Sequence, residues 1–245
     1  MGSADFLIEG LVKALDLILS GDSYLWSVVA VSLEVSGSAV LLAAVVGILI
    51  ALVLSFTDFR GKSIVLAFIN AGMGMPPVVA GLFVFLMLVS AGPFGFLKWL
   101  FTPQAMIIAQ FLLITPIITG VSISAIEAVD SRIKDTAYTL GAKTLDMAVV
   151  VVKEAKFGII TAVLAGFGRA IAEVGAIYIA GGNIAFWDAE ADTYTSYTRT
   201  LTTAIVLETS KGDISTSIAL GIIIIGIAII VNLMTNFFQG RSRHG

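Results

Sequence analysis

Lys134 to Ile159 reads KDTAYTLGAKTLDMAVVVVKEAKFGI. The stretch carries Lys134, Asp135, Lys143, Asp146, Lys153, Glu154 and Lys156 within a chain that is otherwise mostly hydrocarbon. It is too charged to cross a bilayer, where a mid-helix Lys or Asp costs roughly 2.5–3.5 kcal/mol on insertion scales. It is also too apolar for an ordinary loop. Leu145, Ala148, Val149 and Val152 recur at helical spacing, which predicts an amphipathic helix. Gly141 separates that helix from a shorter piece beginning at Asp130, and a glycine at such a place can also serve simply as a helix stop. An amphipathic element between apolar runs has two uses. It can lie flat on lipid headgroups, or it can dock in a groove of a soluble partner.

The surroundings decide the class. The 245 residues are 58% hydrophobic and 13% charged, with mean hydropathy +1.02. A soluble domain carries about 25% charged residues, and apolar runs beyond about 18 residues read as membrane helices. The chain is therefore expected to be an all-α polytopic membrane protein forming a single transmembrane domain over residues 1–245. Five spans are expected, at about 24–56, 64–90, 103–126, 157–180 and 214–238, with the charged segment 130–156 between the third and fourth. Phe6, Leu7, Leu11, Leu15, Ile18 and Leu19 fall near helical spacing among Glu9, Lys13 and Asp16, which predicts an amphipathic helix at the interface rather than a secretory leader.

Basic residues set the orientation. With five spans, Arg60, Lys62, Arg132, Lys134, Lys143, Lys153, Lys156, Arg241 and Arg243 fall on one side, and Lys13, Lys98, Arg199 and Lys211 on the other. The richer side is expected to be cytoplasmic, together with the C-terminus and the opening segment, which leaves the N-terminus outside. A sixth span at the N-terminal helix would reverse only that end.

Chemistry is sparse. With no cysteines, disulfides, thiol chemistry and cysteine-held metals are excluded. The single histidine, His244, reads as part of a solvated tail, and no metal site is expected. Gly61-Lys62-Ser63 mimics the end of a phosphate-binding loop, but Phe56 stands where the earlier glycine is required, and no strand precedes it. No His-Glu-x-x-His, Gly-x-Ser-x-Gly or paired intramembrane aspartates occur, which disfavours a membrane-embedded enzyme. A passive channel would have no use for an amphipathic handle.

Few charges or breaks lie within the spans. Arg169 and Glu173, spaced i, i+4, are expected to share a helix face and pair, as a structural or gating pair or as part of a translocation path. Glu34 is ambiguous and could sit near outer headgroups. Small residues from Ala165 to Ala176 permit close helix approach. Pro76, Pro77 and Pro116 predict kinks. TRTLTTAIVLET (Thr198–Thr209), in which Thr202 and Thr203 offer hydroxyls, reads as a re-entrant or interfacial gate helix. Asp188, Glu190, Asp192, Glu208 and Asp213 make its neighbourhood acidic.

DTAYTLGA followed by a helical run resembles the coupling loop of ABC importer permeases, which reads Glu-Ala-Ala, three residues, then Gly. Asp135, Thr136 and Ala137 stand for the triplet and Gly141 for the glycine. Val151 falls at the family's Ile position, and Lys153-Glu154 replaces its Leu-Pro. GMPPVVAGL (Gly74–Leu82) and GFGRAIAEVGA (Gly166–Ala176) are similar to the corresponding spans of molybdate, tungstate and sulfate permeases. GGNI (Gly181–Ile184), the Thr198–Asp213 stretch and KEAKFGI most resemble the tungstate-type permease. The resemblance covers roughly residues 20–238.

That resemblance implies the type I ABC importer fold in a prokaryotic cell membrane. The working unit would be a homodimer carrying two ATPase subunits and served by an external binding protein, with no nucleic acid involved. It implies that Asp135, Thr136, Ala137, Gly141, Ala142, Leu145 and Val149 couple the chain to the ATPase. ATP and magnesium would sit on that partner, with no cofactor in this chain. Arg169, Glu173, Pro76, Pro77, Thr202 and Thr203 are the candidates for path or gate. The implied cargo is an oxyanion, tungstate first, with molybdate or sulfate as the alternative.

Overall fold

A computed structural model describes residues 3–190 and 192–242. Arg243 and His244 lie outside the described residues, as do the side chains of residues 3–7, Lys134, Thr144, Arg241 and Ser242. The helices are α1 (Ser3–Ser20), α2 (Ser23–Phe56), α3 (Lys62–Met73), α4 (Pro77–Leu88), α5 (Pro103–Glu127), α6 (Ser131–Thr139), α7 (Thr144–Ile171), α8 (Gly175–Gly181), α9 (Leu201–Lys211) and α10 (Ile214–Ser242). Strands β1 (Ala185–Asp188) and β2 (Thr193–Ser196) form an antiparallel hairpin in the register Phe186–Thr195 and Trp187–Tyr194. The fold is thus helical as expected, with one small hairpin that the composition did not signal.

Among the described residues, three helices are long and apolar enough to cross a membrane, namely α2, α5 and α10; the count is four if α3 and α4 make one broken span. Pro76 and Pro77 do not kink a continuous second span. They separate two helices, because Pro76 caps α4 with extended backbone and Pro77 takes its first turn. That position needs no N–H, and proline's fixed φ suits it. Pro116 leaves α5 assigned as one helix from Pro103 to Glu127.

The fourth span also departs from expectation. Helix α7 begins at Thr144, well inside the charged segment, and stops at Ile171; α8 resumes at Gly175. Lys153, Glu154 and Lys156 are exposed, while Met147, Val151, Ala155 and Ile159 are buried at four-residue intervals. Charge on the open face does not interrupt a helix whose other face is packed.

The chain divides into two compact units. The first comprises residues 1–39, 76–110 and 170–230. Its core joins Ala14 of α1, Leu25, Val28 and Val29 of α2, Leu201 and Ala204 of α9, and Ala219 and Leu220 of α10. Helix α1 buries Ala14 and leaves Ile8, Leu11, Val12, Leu15 and Leu19 exposed, an apolar surface of the kind an interfacial helix gives to lipid. Asp22 accepts the Leu25 N–H at 2.8 Å at the start of α2.

The second unit comprises residues 40–75, 111–169 and 231–245. Its core joins Ala51 and Leu54 of α2, Ile123 and Ile126 of α5, Ala137 of α6, and Met147, Val151, Ala155 and Ile159 of α7. Close approach is built with glycine. A Cβ at Gly72 would stand 2.8 Å from the Pro116 ring, and one at Gly158 would stand 2.6 Å from the Ala125 methyl.

Candidate functional site

Two places carry the residues singled out in the sequence. The first, in the second unit, is the α6–α7 turn. Asp130 opens α6, accepting the Arg132 N–H at 2.9 Å while the Arg132 guanidinium donates at 2.8 Å. These bonds, the guanidinium's first, hold the Asp130 carboxyl below the usual carboxylate range. The helix ends at Thr139, and Gly141 takes φ +83°, where a side chain would be strained although nothing stands within 4 Å of its Cβ position. The Ala142 N–H donates to the Ala137 carbonyl at 3.0 Å across the turn.

Within this turn Asp135 and Thr136 are exposed, whereas Ala137 is buried against α7 and Ala142 packs beside the same core. Leu140 is 82% and Leu145 81% exposed, with Tyr138 and Val149 also open. Leu145 and Val149 therefore belong to an outward apolar face, and the parallel series Met147, Val151 and Ala155 holds the turn to the core. A cavity of about 880 Å³ borders α6, lined by Val129, Arg132, Ile133, Thr136 and Glu154 among others. Helix α6 is thus anchored along its Ala137 side and open along another.

The second place, in the first unit, is the break between α7 and α8. A break amid apolar helices leaves backbone groups that need partners. The Ala170 carbonyl accepts from Gln110 Nε2 at 2.9 Å and from the Glu173 N–H at 3.1 Å. The Glu173 carbonyl accepts the Thr202 hydroxyl of α9 at 2.6 Å. Glu173 is 5% exposed, and its Oε1 accepts N–H groups from Val174 and Gly175 at 3.0 Å and from Ala176 at 3.5 Å. A carboxylate at a helix start satisfies orphan donors and suits the helix dipole.

Helix α7 stops at Ile171. Glu173 turns its carboxylate to the start of α8, just past that stop. Sequence spacing hid this because no proline marks residues 172–174.

Other path and gate candidates gather around α8. The first turn of α4, after Pro76-Pro77, meets the first turn of α8: a Cβ on Gly175 would stand 2.9 Å from the Val78 side chain. In α9, Thr203 forms a reciprocal cap with Thr200, and the Leu201 N–H donates to Ser32 Oγ of α2 at 2.7 Å. Thr202 and Thr203 are buried, and their hydroxyls fasten α9. Two contributors escaped the sequence reading. Gln110 carries no charge, and Ser32 stands in an apolar run. Glu208 is 5% exposed and receives the Tyr24 hydroxyl at 2.8 Å and Lys211 Nζ at 3.0 Å.

Residues 43–244 match the family model described as the binding-protein-dependent transport system inner membrane component. A Haloferax volcanii protein named probable anion ABC transporter permease is 48% identical, covering 90% of this chain and 93% of its own. The tungstate uptake system permease TupB of Peptoclostridium acidaminophilum is 35% identical over 96% and 99%. The molybdenum transport system permease ModB of Escherichia coli is 29% identical over 89% and 95%. Among solved structures, an amino acid ABC transporter superposes with TM-score 0.63 at 18% identity, covering 93% of this chain and 97% of that one. That likeness is one of fold, the type I importer permease.

Proposed function

The chain belongs to the family of binding-protein-dependent transport inner membrane components, a multi-pass membrane permease, and from that premise we propose that it carries tungstate inward, driven by a separate ATPase. The observation that supports the drive is the α6–α7 turn. Leu140 and Leu145 stand open at a tip whose inner side, Ala137, Met147 and Val151, is packed into the core. Exposed leucines on a firmly rooted turn fit a groove on a soluble partner better than they fit water.

In this reading the turn faces the cytoplasm, as the basic residues around it suggest, and the N-terminus lies outside. Asp135, Thr136, Ala137, Gly141, Ala142, Leu145 and Val149 form the contact with the ATPase, one subunit for each permease copy of a homodimer. ATP and magnesium stay on that subunit, and this chain makes no covalent change to its cargo. Closure of the ATPase pair around ATP draws the two turns together and opens the path outward. An external binding protein hands over the oxyanion, and hydrolysis returns the path inward. Pro76, Pro77, Arg169, Glu173, Thr202 and Thr203 belong to the path or its gate. The names of the tungstate and molybdenum relatives favour a tetrahedral metal oxyanion as cargo, and the higher identity to the tungstate permease favours tungstate.

Gly141→Arg tests the coupling. The variant is expected to insert in the membrane and to lose the ATPase subunit on purification. Normal assembly would overturn the assignment. Cargo is tested separately by ATP-dependent uptake into proteoliposomes holding the complete complex, with labelled tungstate against molybdate and sulfate. Uptake that prefers molybdate or sulfate would replace tungstate and leave the coupling intact.

A further inference from the structure

We propose that Glu173 is the positioning residue of the gate: it clasps α8 to α9, and α8 is already seated on α4, so the three short helices hold as one body until the clasp is released. The proposal rests on the permease reading. It goes beyond it in giving Glu173 a mechanical role in place of contact with the cargo.

A buried acid among apolar helices is expensive, and here both ends of one residue are used. The side chain gathers the N–H groups of Val174, just before α8, and of Gly175 and Ala176 in its first turn on a single oxygen. The main-chain carbonyl of the same residue holds Thr202 of α9 at 2.6 Å. Helix α8 has seven residues, far too few to be stable alone. Its place therefore depends on contacts. One is the backbone seat on α4, where a Cβ at Gly81 would lie 2.8 Å from the Ala176 Cα and carbonyl oxygen. At its far end the Ala180 carbonyl accepts the Phe101 N–H at 3.0 Å and the Gly181 carbonyl accepts the Thr198 hydroxyl at 2.7 Å; at its start the hold is Glu173. Loss of its carboxylate frees three donors at the start of α8 and loosens the carbonyl that Thr202 grips. The two ends of the clasp then fail together, because they belong to one residue.

The chain is tested in the full complex with its ATPase subunits, in proteoliposomes without ATP. Two readouts are taken: leak of labelled tungstate, molybdate and sulfate, and hydrogen exchange of the amides at residues 174–176 and 201–203. In Glu173→Ala both should rise, the leak by about tenfold, the factor that 1.4 kcal/mol of lost gate stability carries. Glu173→Gln keeps an oxygen that accepts the same N–H groups and should stay near wild type in both. Thr202→Val cuts only the α9 link. It should leak less than Glu173→Ala, and the double variant should leak no more than Glu173→Ala alone.

Faster exchange without leak would reduce Glu173 to a helix cap and overturn the gating role. Leak without faster exchange would overturn the clasp. A Glu173→Gln variant as leaky as Glu173→Ala would also overturn it, since charge and not hydrogen bonding would then be at work. If Glu173→Ala does not assemble with the ATPase, Thr202→Val decides alone: leak supports the clasp and wild-type tightness overturns it. A wild-type complex that imports none of the three anions with ATP would sink the cargo reading, while the exchange arm still reports on the clasp.

Discussion

Gly81 and Ala176 meet backbone to backbone: a side chain on Gly81 would begin 2.8 Å from the Ala176 Cα and carbonyl oxygen. Nothing at the far end of that contact is flexible, so it cannot yield by a rotamer change. Gly81→Ala should force α4 and α8 apart. Overpacking of this kind costs about 1–3 kcal/mol, read as a lower melting temperature of the purified chain in detergent. Gly81→Leu should cost more and abolish uptake. An unchanged melting curve for both would mean that the two helices do not pack as closely as described.

Parts of this arrangement were legible in the sequence and parts were not, for physical reasons. Gly141 was legible because a bend needs φ above zero and only glycine takes it freely; its φ is +83°. The Pro76-Pro77 break was half legible. Proline marks a discontinuity, but only the surroundings decide between a kink and a fresh helix start. The break at residues 172–174 was hidden, because Gln110 and Thr202 satisfy it from distant parts of the chain. Span edges drawn from charge marked where lipid contact should end, not where the helix begins, so α7 starts far earlier than 157. The α7 stretch holds two apolar series, and nothing local says which is buried. Packing chose Met147, Val151 and Ala155, leaving Leu145 and Val149 outside. The hairpin escaped because its acidic turn outweighed a strand signal of only four residues on each side.

The outward leucines give a prediction of their own. Leu140 and Leu145 are over four-fifths exposed, so Leu140→Ser with Leu145→Ser should change the stability of the chain itself by no more than about 0.5 kcal/mol each. The same double variant should weaken ATPase association by at least about tenfold, the effect of losing roughly 1.4 kcal/mol. Melting of the isolated chain and titration with the ATPase separate the two effects. A loss of chain stability with unchanged association would show that the leucines serve the fold and not a partner.

Asp130 makes the first turn of α6 sensitive to pH. The Arg132 guanidinium and N–H hold its carboxyl below the ordinary value, so the folded turn favours the ionised form. The stabilisation is complete above the unfolded value, about 3.9, and is lost as pH falls through the lower folded value. Hydrogen exchange of residues 132–136, corrected for its intrinsic pH dependence, should rise only in that acid window. Asp130→Asn should flatten the profile while keeping much of the cap, since an amide oxygen still accepts the Arg132 N–H. An acid rise that persists in Asp130→Asn would assign the transition to another group.

Tyr24 and Glu208 supply the last prediction. The Tyr24 hydroxyl donates to Glu208 Oε1 at 2.8 Å, Lys211 Nζ donates at 3.0 Å, and Arg199 reaches the Tyr24 oxygen at 3.4 Å. Glu208 is 5% exposed whereas Lys211 is half open, so the tyrosine supplies the buried side of the pairing. Tyr24→Phe removes that donor and leaves Glu208 with Lys211 alone, at a cost of about 1.5–3 kcal/mol, the net worth of a hydrogen bond to a charged group. Glu208→Gln should cost less, because an amide is easier to bury than a carboxylate and its oxygen still accepts the tyrosine hydroxyl. The double variant should fall short of the sum of the singles, since removing either partner already breaks the shared bond. Additive losses in melting free energy would show that Tyr24 holds α2 by ring packing alone and that the hydroxyl does not fasten α2 to α9.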